Sequence, residues 1–369
     1  MANSSKFRAD HVGSLLRPAR LLEARRRVEA GMIEPEELRE VEDEAIAEAV
    51  KLQLDAGIDI ITDGEFRRSD FRAGFVDAVS GIEERRGEMP WRASGGLATL
   101  PSSQYRITAR LRQRRRITEG EVAFLRSLTG APLKVTLISP GFLVDRFWED
   151  GVTGELYESR DELAADVAAI TRAEIEALIA EGVQYVQLDN PGYAAFLGDY
   201  VRNPDDAELR QRFERMLAAD AAAVSGVERP RGTSIGLHVC RGNASSMWLG
   251  EGDYEPIAER LFALPVDRLL LEYDTDRAGG FEPLRFVPAD TMVVLGLVSS
   301  KTPELESIEE LQTRIDDASQ HVDLDFLALS PQCGFASVAE YGNKLTGEQQ
   351  FDKLQRVSDA ALATWGIEL

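Results

Sequence analysis

The chain has 369 residues, of which 44% are hydrophobic and 29% charged, the profile of a globular protein with a sizeable core. Its formal net charge of −22 repels nucleic acid and anionic membrane, so neither is an expected partner, and no apolar stretch approaches the roughly 18 residues of a membrane span. Two cysteines argue against a disulfide framework, and the first residues carry no apolar leader, so a cytoplasmic protein with reduced thiols is expected.

In chain order, residues 7–12 read as a first strand, with a turn at Gly13-Ser14. Pro18 opens a charged helical region that breaks near Gly31 and runs to Gly57, with Val41, Ala45, Ala49, Leu52 and Ala56 at helical spacing. Residues 58–62 form a second strand, ending in Asp63-Gly64-Glu65-Phe66-Arg67-Arg68. Residues 67–131 are the least regular part, with glycine-rich turns near 94–97 and a basic run over 110–116 that reads as a solvated face. They are expected to form an excursion between the second and third strands.

A third strand is predicted over 133–138, a helix over 161–181, a fourth strand over 184–188 and a helix over 205–224. The fifth strand, 234–239, is followed by a helix over 254–263 and the sixth strand, 268–271. The seventh covers 291–297, Pro303 sits where it would open a helix, the eighth covers 326–329, and a last helix runs over 347–365. Short apolar strands alternating with helices predict an α/β protein with a parallel sheet. Eight such strands fit a single (β/α)₈ TIM barrel that spans residues 1–369, with the excursion between strands 2 and 3. No glycine fingerprint of an open dinucleotide-binding sheet follows the first strand.

In such a barrel, chemistry sits at the C-terminal ends of the strands. The polar residues that interrupt the apolar runs lie there: Ser14, Glu65, Asp189, His238, Cys240, Glu272, Lys301 and Cys333. Residues i and i+2 of a strand share a side, so His238 and Cys240 can point at one object. Together with Glu272 and Cys333 they offer one imidazole, two thiolates and a carboxylate, a plausible tetrahedral Zn²⁺ set. Taken singly, each cysteine also reads as a buried small hydrophobe and His238 as a satisfied core histidine. A zinc with such a sulfur-rich shell suits alkylation of a thiol better than hydrolysis.

These residues resemble the cobalamin-independent methionine synthase family. The likeness is carried by His238-Val239-Cys240, Glu272 and Ser330-Pro331-Gln332-Cys333-Gly334. It extends to His11-Val12-Gly13-Ser14, Asp63-Gly64-Glu65-Phe66, Leu188-Asp189 and Gly296-Leu297-Val298-Ser299-Ser300-Lys301, in the family's order. The long members have two barrels, and this chain is similar to the catalytic C-terminal one. The resemblance implies a methyltransferase in which zinc, held by His238, Cys240, Glu272 and Cys333, activates homocysteine for methylation by 5-methyltetrahydrofolate or a related donor. It implies that the thiol displaces Glu272, that Ser14 holds the homocysteine carboxylate, and that Glu65 and Asp189 hold its amino group. Phe147-Trp148 lie where the family stacks its pterin.

One position departs from the family. Lys301 stands where the two-barrel enzyme has a histidine taken to protonate the folate nitrogen, so Lys301 is expected to steady an anion or, with a depressed pKa, to donate that proton. Other readings stay open. Epoxyalkane:coenzyme M transferase is similar to the same barrel, and its sulfonate thiol would suit Lys301 and Arg17. A noncatalytic zinc-containing barrel is the third. Glu65 has a bland alternative in a salt bridge to Arg67 or Arg68, and Asp189 in a turn or helix cap before Pro191. A homodimer is compatible with a barrel of this size.

Overall fold

Short runs rich in Val, Ile and Leu are buried on both faces when helices cover a parallel sheet, and that is how these runs are used. The computed structural model describes residues 7–203 and 205–366. An antiparallel hairpin of β1 (Val79–Ala93) and β2 (Gly96–Gln113) precedes a parallel sheet whose strands are hydrogen-bonded in sequence order. These are β3 (Lys134–Ile138), β4 (Tyr185–Asp189), β5 (Ser234–Val239), β6 (Arg268–Glu272), β7 (Met292–Val298) and β8 (Leu327–Pro331).

The first two predicted strands are present only as single bridges. Ala9 pairs in parallel with Leu329 of β8, and Ile61 with Leu133 beside β3. The amide of Asp59 donates to the Ala9 carbonyl at 3.0 Å and so joins the two segments. Their ladders are short because the Asp59 carboxylate accepts the Arg8 and Ala9 amides, at 2.7 and 2.9 Å. With these two segments the sheet has the eight members of the (β/α)₈ barrel.

Helices Ala19–Glu29, Pro35–Asp55, Arg160–Ala180, Ala207–Val224, Glu255–Leu261 and Gly347–Trp365 lie where the periodicity places them, within one to three residues. Pro303 does not open a helix. Ser307 and Glu310 form a capping box, which starts the next helix at Ile308. The preceding loop is instead held by Glu306, which accepts from the Ser299 amide at 2.8 Å and pairs with Lys353 at 3.0 Å. Outside the excursion, two further helices have no counterpart in the sequence reading, Pro140–Phe147 and Gly192–Arg202, each opening just after a strand end.

The excursion is also more regular than its sequence suggests. Its core is the β1–β2 hairpin, turned at Ser94-Gly95 and flanked by short helices Ala73–Ala78 and Glu121–Leu128. Most of the ribbon is exposed or half-buried, so it lacks the apolar alternation that marks a strand; its backbone ladder is joined by one charge pair in register, Glu83 with Arg106 at 3.0 Å. The basic run at the end of β2 is largely exposed, as expected, and pairs with helix Arg160–Ala180 and the residue after it: Arg110 with Glu162 at 2.5 Å, and Arg116 with Glu174 at 2.8 Å and with Glu181.

Inside the barrel Phe7, Ile60, Tyr185, Leu270, Met292 and Val294 pack in one cluster, and the larger core lies between strands and helices. At the top of β7, Gly296 allows the β8 end to approach. A Cβ there would lie 2.7 Å from Gln332 Cα and 3.0 Å from the Leu271 carbonyl, both backbone atoms. Gly296→Ala is therefore expected to destabilise the fold by about 1–3 kcal/mol in urea unfolding. An unchanged midpoint would show that this close approach is not required.

Candidate metal centre and its cavity

The barrel register brings the four sequence-expected ligands together. His238 lies near the end of β5, Cys240 just past it, Glu272 closes β6, and Cys333 follows β8. All four are buried, and their donor atoms lie within 4.8 Å of one another. The Cys240 and Cys333 sulfurs are 3.3 Å apart. Glu272 Oε1 accepts from the Arg241 amide at 2.5 Å, and the Gly242 amide donates to Cys240 Sγ at 3.1 Å. His238 Nε2 and Glu272 Oε2 are buried without a hydrogen bond, although Arg277 Nη2 stands 3.5 Å from Glu272 Oε2. Two soft sulfurs, one imidazole nitrogen and one carboxylate oxygen, two of the four unsatisfied, match the donor set and softness that zinc takes.

Without a metal, protons compensate this cluster. The hydrogen bond to Cys333 and burial both push the Cys240 thiol up, and the same bond pulls Cys333 down, so the pair shares one proton. Burial raises Glu272 to about 7 against the pull of Lys301. Burial disfavours the His238 imidazolium, but the hydrogen bond to Asp189 and the adjacent Cys333 outweigh it and raise the pKa to about 10. A divalent cation would displace these protons.

His238 and Cys240 form part of the wall of a cavity of about 670 Å³, together with Ser14, Glu65, Trp148 and Asp189. Glu65 adopts a left-handed backbone (φ 60°), with its amide held by Asp63 Oδ1 at 2.8 Å. Its Oε1 accepts from Thr136 Oγ1 at 3.0 Å, and its Oε2 is buried without a partner. Neither neighbouring arginine bridges to it. Arg67 pairs with Glu42 and Asp43, and Arg68 with Glu121 at 3.1 Å. Asp189 is not a helix cap; Asn190 Oδ1 fills that role by accepting the Gly192 and Tyr193 amides. Instead, Asp189 Oδ1 accepts from His238 Nδ1 at 2.9 Å, because the two residues are register partners on adjacent strands. Trp148 donates to Asp150 at 2.7 Å and carries Arg160 over its ring.

Lys301 lies away from the cavity wall. It is buried, and its Nζ donates to the Gly242 carbonyl at 2.9 Å, which places its charge close to Glu272 and Cys333. Arg17 is likewise occupied, by the carbonyls of Glu65, Arg68 and Ala336 at 2.7–2.9 Å. Neither is free to meet a substrate anion as the sequence suggested.

The hairpin was missed as a site element because its residues lack any motif. It roofs the cavity with Met89, Trp91 and Tyr105. The Arg92 and Trp248 backbones exchange hydrogen bonds at 2.7 and 3.0 Å, and Trp91 packs with Ala244 and Met247. The roof is thus joined to the loop that follows Cys240.

Burial is the main reason the Glu65 carboxyl rises to about 7; Arg68 and Arg17 oppose it, and Asp189 adds to it. Between the ordinary value of 4.5 and about 7, folded Glu65 keeps a proton that the unfolded chain has lost. Its contribution therefore lowers stability as pH rises through that window and is constant above it. Glu65→Gln is expected to make the decline of the urea midpoint between pH 4.5 and 7 shallower than in the wild type. Identical slopes would mean that Glu65 is ionised throughout.

Comparison with known proteins identifies the family. The family described as "Cobalamin-independent synthase, Catalytic domain" matches residues 7–361. YxjH of Bacillus subtilis (strain 168) is 38% identical over 371 residues, which cover 97% of this chain and 95% of that protein. The methionine synthase of Sulfolobus acidocaldarius is 24% identical over 328 residues, covering 88% of this chain and 84% of its own. A crystal structure from Listeria monocytogenes superposes with a TM-score of 0.76 at 28% identity and covers 99% of each chain. With the family pattern running almost from end to end, the chain belongs to the cobalamin-independent methionine synthase family of methyltransferases.

Proposed function

We propose that this protein is a zinc-dependent thiol S-methyltransferase that converts L-homocysteine to methionine, with 5-methyltetrahydrofolate or a related compound as donor. The observation that carries the reading is the convergence of His238, Cys240, Glu272 and Cys333 at a cavity that also presents Ser14, Glu65 and Asp189. Zinc bound there would supply the Lewis acidity that keeps a thiol deprotonated near neutral pH. The chain's own residues do the rest. Glu65 and Asp189 place two carboxylates where a substrate ammonium can be held by charge-assisted hydrogen bonds, and Ser14 serves the substrate carboxylate. That pair of carboxylates fits an amino acid thiol better than a sulfonate thiol, so alkyl transfer of the coenzyme M type is the weaker reading.

Lys301 takes a different part from the one its sequence position implied. It sits behind the ligands, so its role is to offset their negative charge, with no proton delivered to the donor. The roof of β1 and β2 places Met89, Trp91 and Tyr105 over the cavity, and apolar walls strengthen ionic contacts beside them. A single barrel over the whole chain, acting in the cytoplasm, is consistent with this reading.

The donor's end of the cavity carries a distinguishing arginine. Arg72, Arg85, Arg106 and Arg212 are ion-paired, with Asp70, Glu149, Glu83 and Asp145, at 2.5–3.0 Å. Arg146, on the same wall, has no hydrogen bond or ion pair among the described residues. With the amino acid thiol held near the metal, Arg146 is suited to the carboxylate end of the methyl donor.

Two measurements test the function. Zinc-edge X-ray absorption on the zinc-loaded protein is expected to gain one sulfur neighbour when L-homocysteine is added, and not when coenzyme M is added. Cys240→Ser and Cys333→Ser should each lose the metal and the methyl transfer together, whereas full activity in a metal-free variant would overturn the proposal. Separately, Arg146→Gln should raise the KM for a folate donor roughly tenfold or more, the scale of a lost charged hydrogen bond, with the homocysteine KM unchanged. An unaltered donor KM would show that Arg146 does not bind the donor.

A further inference from the structure

The barrel interior holds a lysine that the proposed chemistry does not use. Lys134 lies on β3, its side chain fully buried, and burying a charge there is costly unless it is matched. Its Nζ pairs with Asp10 and donates also to the His11 carbonyl and to Gln187 Oε1, the last at 3.0 Å. Gln187 lies two residues before Asp189 on β4, so both side chains point into the barrel. Across the sheet Gln187 pairs in register with Gly236, where no side chain competes for the space, and Asp189 with His238.

Hydrogen-bond direction passes along this row without ambiguity. An ammonium can only donate, so Gln187 Oε1 must face Lys134. The amide nitrogen is then turned the other way, and it donates to the Val12 carbonyl at 2.7 Å and to Asp189 Oδ1 at 2.8 Å. A carboxylate can only accept, so the neighbouring His238 Nδ1, 2.9 Å from the same oxygen, carries a hydrogen. In the neutral ring this leaves the lone pair on Nε2, the buried ring nitrogen that has no hydrogen bond. Were the Gln187 amide flipped, its oxygen would face the Asp189 carboxylate and drive it away from His238. Lys134 forbids that flip.

We propose that Lys134 and Gln187 are positioning residues for the metal ligand His238, acting through Asp189. The row fixes both the ring orientation and the tautomer of a ligand whose own contacts to the protein are few. This rests on the reading of His238, Cys240, Glu272 and Cys333 as a zinc site. It differs from that reading in placing part of the metal affinity in the barrel floor, away from every ligand and from the substrate cavity.

The test is the zinc dissociation constant of the full chain, measured by competition with a chromophoric chelator, alongside the melting temperature of the metal-free protein. Gln187→Leu is expected to weaken zinc about 10- to 100-fold, the range found when partners of metal-bound histidines are removed. The double variant Gln187→Leu/Asp189→Asn is expected to bind zinc no more weakly than Asp189→Asn alone, because Gln187 acts only through Asp189. If Gln187→Leu does not fold, Gln187→Asn, one methylene too short to span Lys134 and Asp189, replaces it and should weaken zinc likewise. Wild-type affinity in a folded Gln187 variant, or losses that multiply in the double variant, would overturn the proposal. A wild-type protein that binds no zinc would overturn the metal site itself, a separate failure visible before any variant is made.

Discussion

Two thiols and a carboxyl buried around one point cannot all ionise without a compensating charge, and this constraint shapes the rest of the molecule. Two strand ends, at Glu272 and Cys333, deliver acidic groups to the same place that β5 delivers His238 and Cys240. Lys301 and Arg277 stand close by and supply part of the counter-charge. Backbone amides of Arg241 and Gly242 supply more, each donating to an acidic ligand. A dication bound there would balance the remainder and displace protons from the ligands.

A barrel mouth alone would leave this cluster open to water. The hairpin of β1 and β2 supplies a concave wall, and its attachment explains how a mostly polar ribbon stays in place. The backbone ladder and the Glu83–Arg106 ion pair hold its two strands together, while Trp91, Met89 and Leu100 anchor its outer part on Ala244 and Met247. At its base Tyr105 packs on Phe147, with ring centres 5.2 Å apart, and Arg72 lies over the same tyrosine at 4.6 Å. The roof, the Trp148 region and the loop after Cys240 are thereby joined through packed side chains and backbone hydrogen bonds.

The interior of the barrel is unusually polar for a packed core. Lys134, Asp10, Gln187 and Arg268 share it with Tyr185 and Phe7, and the cations lie over aromatic faces: Lys134 over Tyr185 at 4.3 Å, and Arg268 over Phe7 and Tyr185 at 5.2 Å. Such groups are tolerated because each meets a partner of opposite charge or a π face. Gly236 makes the room, since a Cβ there would lie 2.6 Å from the Tyr185 ring.

Much of this was legible in the sequence. Doubly buried strands are short apolar runs, so β3 to β8 and the alternation with helices could be read directly, and the four candidate metal ligands stood out because they end such runs. The hairpin was not legible, because strands that are mostly exposed and held by their backbone ladder carry no apolar period. Helices Pro140–Phe147 and Gly192–Arg202 were lost for a different reason, as only Ser139 and Asn190-Pro191 separate them from the strand ends. Residue chemistry and spacing along one strand are local properties, and the chain alone determined those. Which way Lys301 and Arg17 turn, which atom of Asp189 meets His238, and which cavity arginine lacks a carboxylate depend on strands and loops distant in sequence. Only the closed barrel decides them, because register between neighbouring strands sets the partners of every inward side chain.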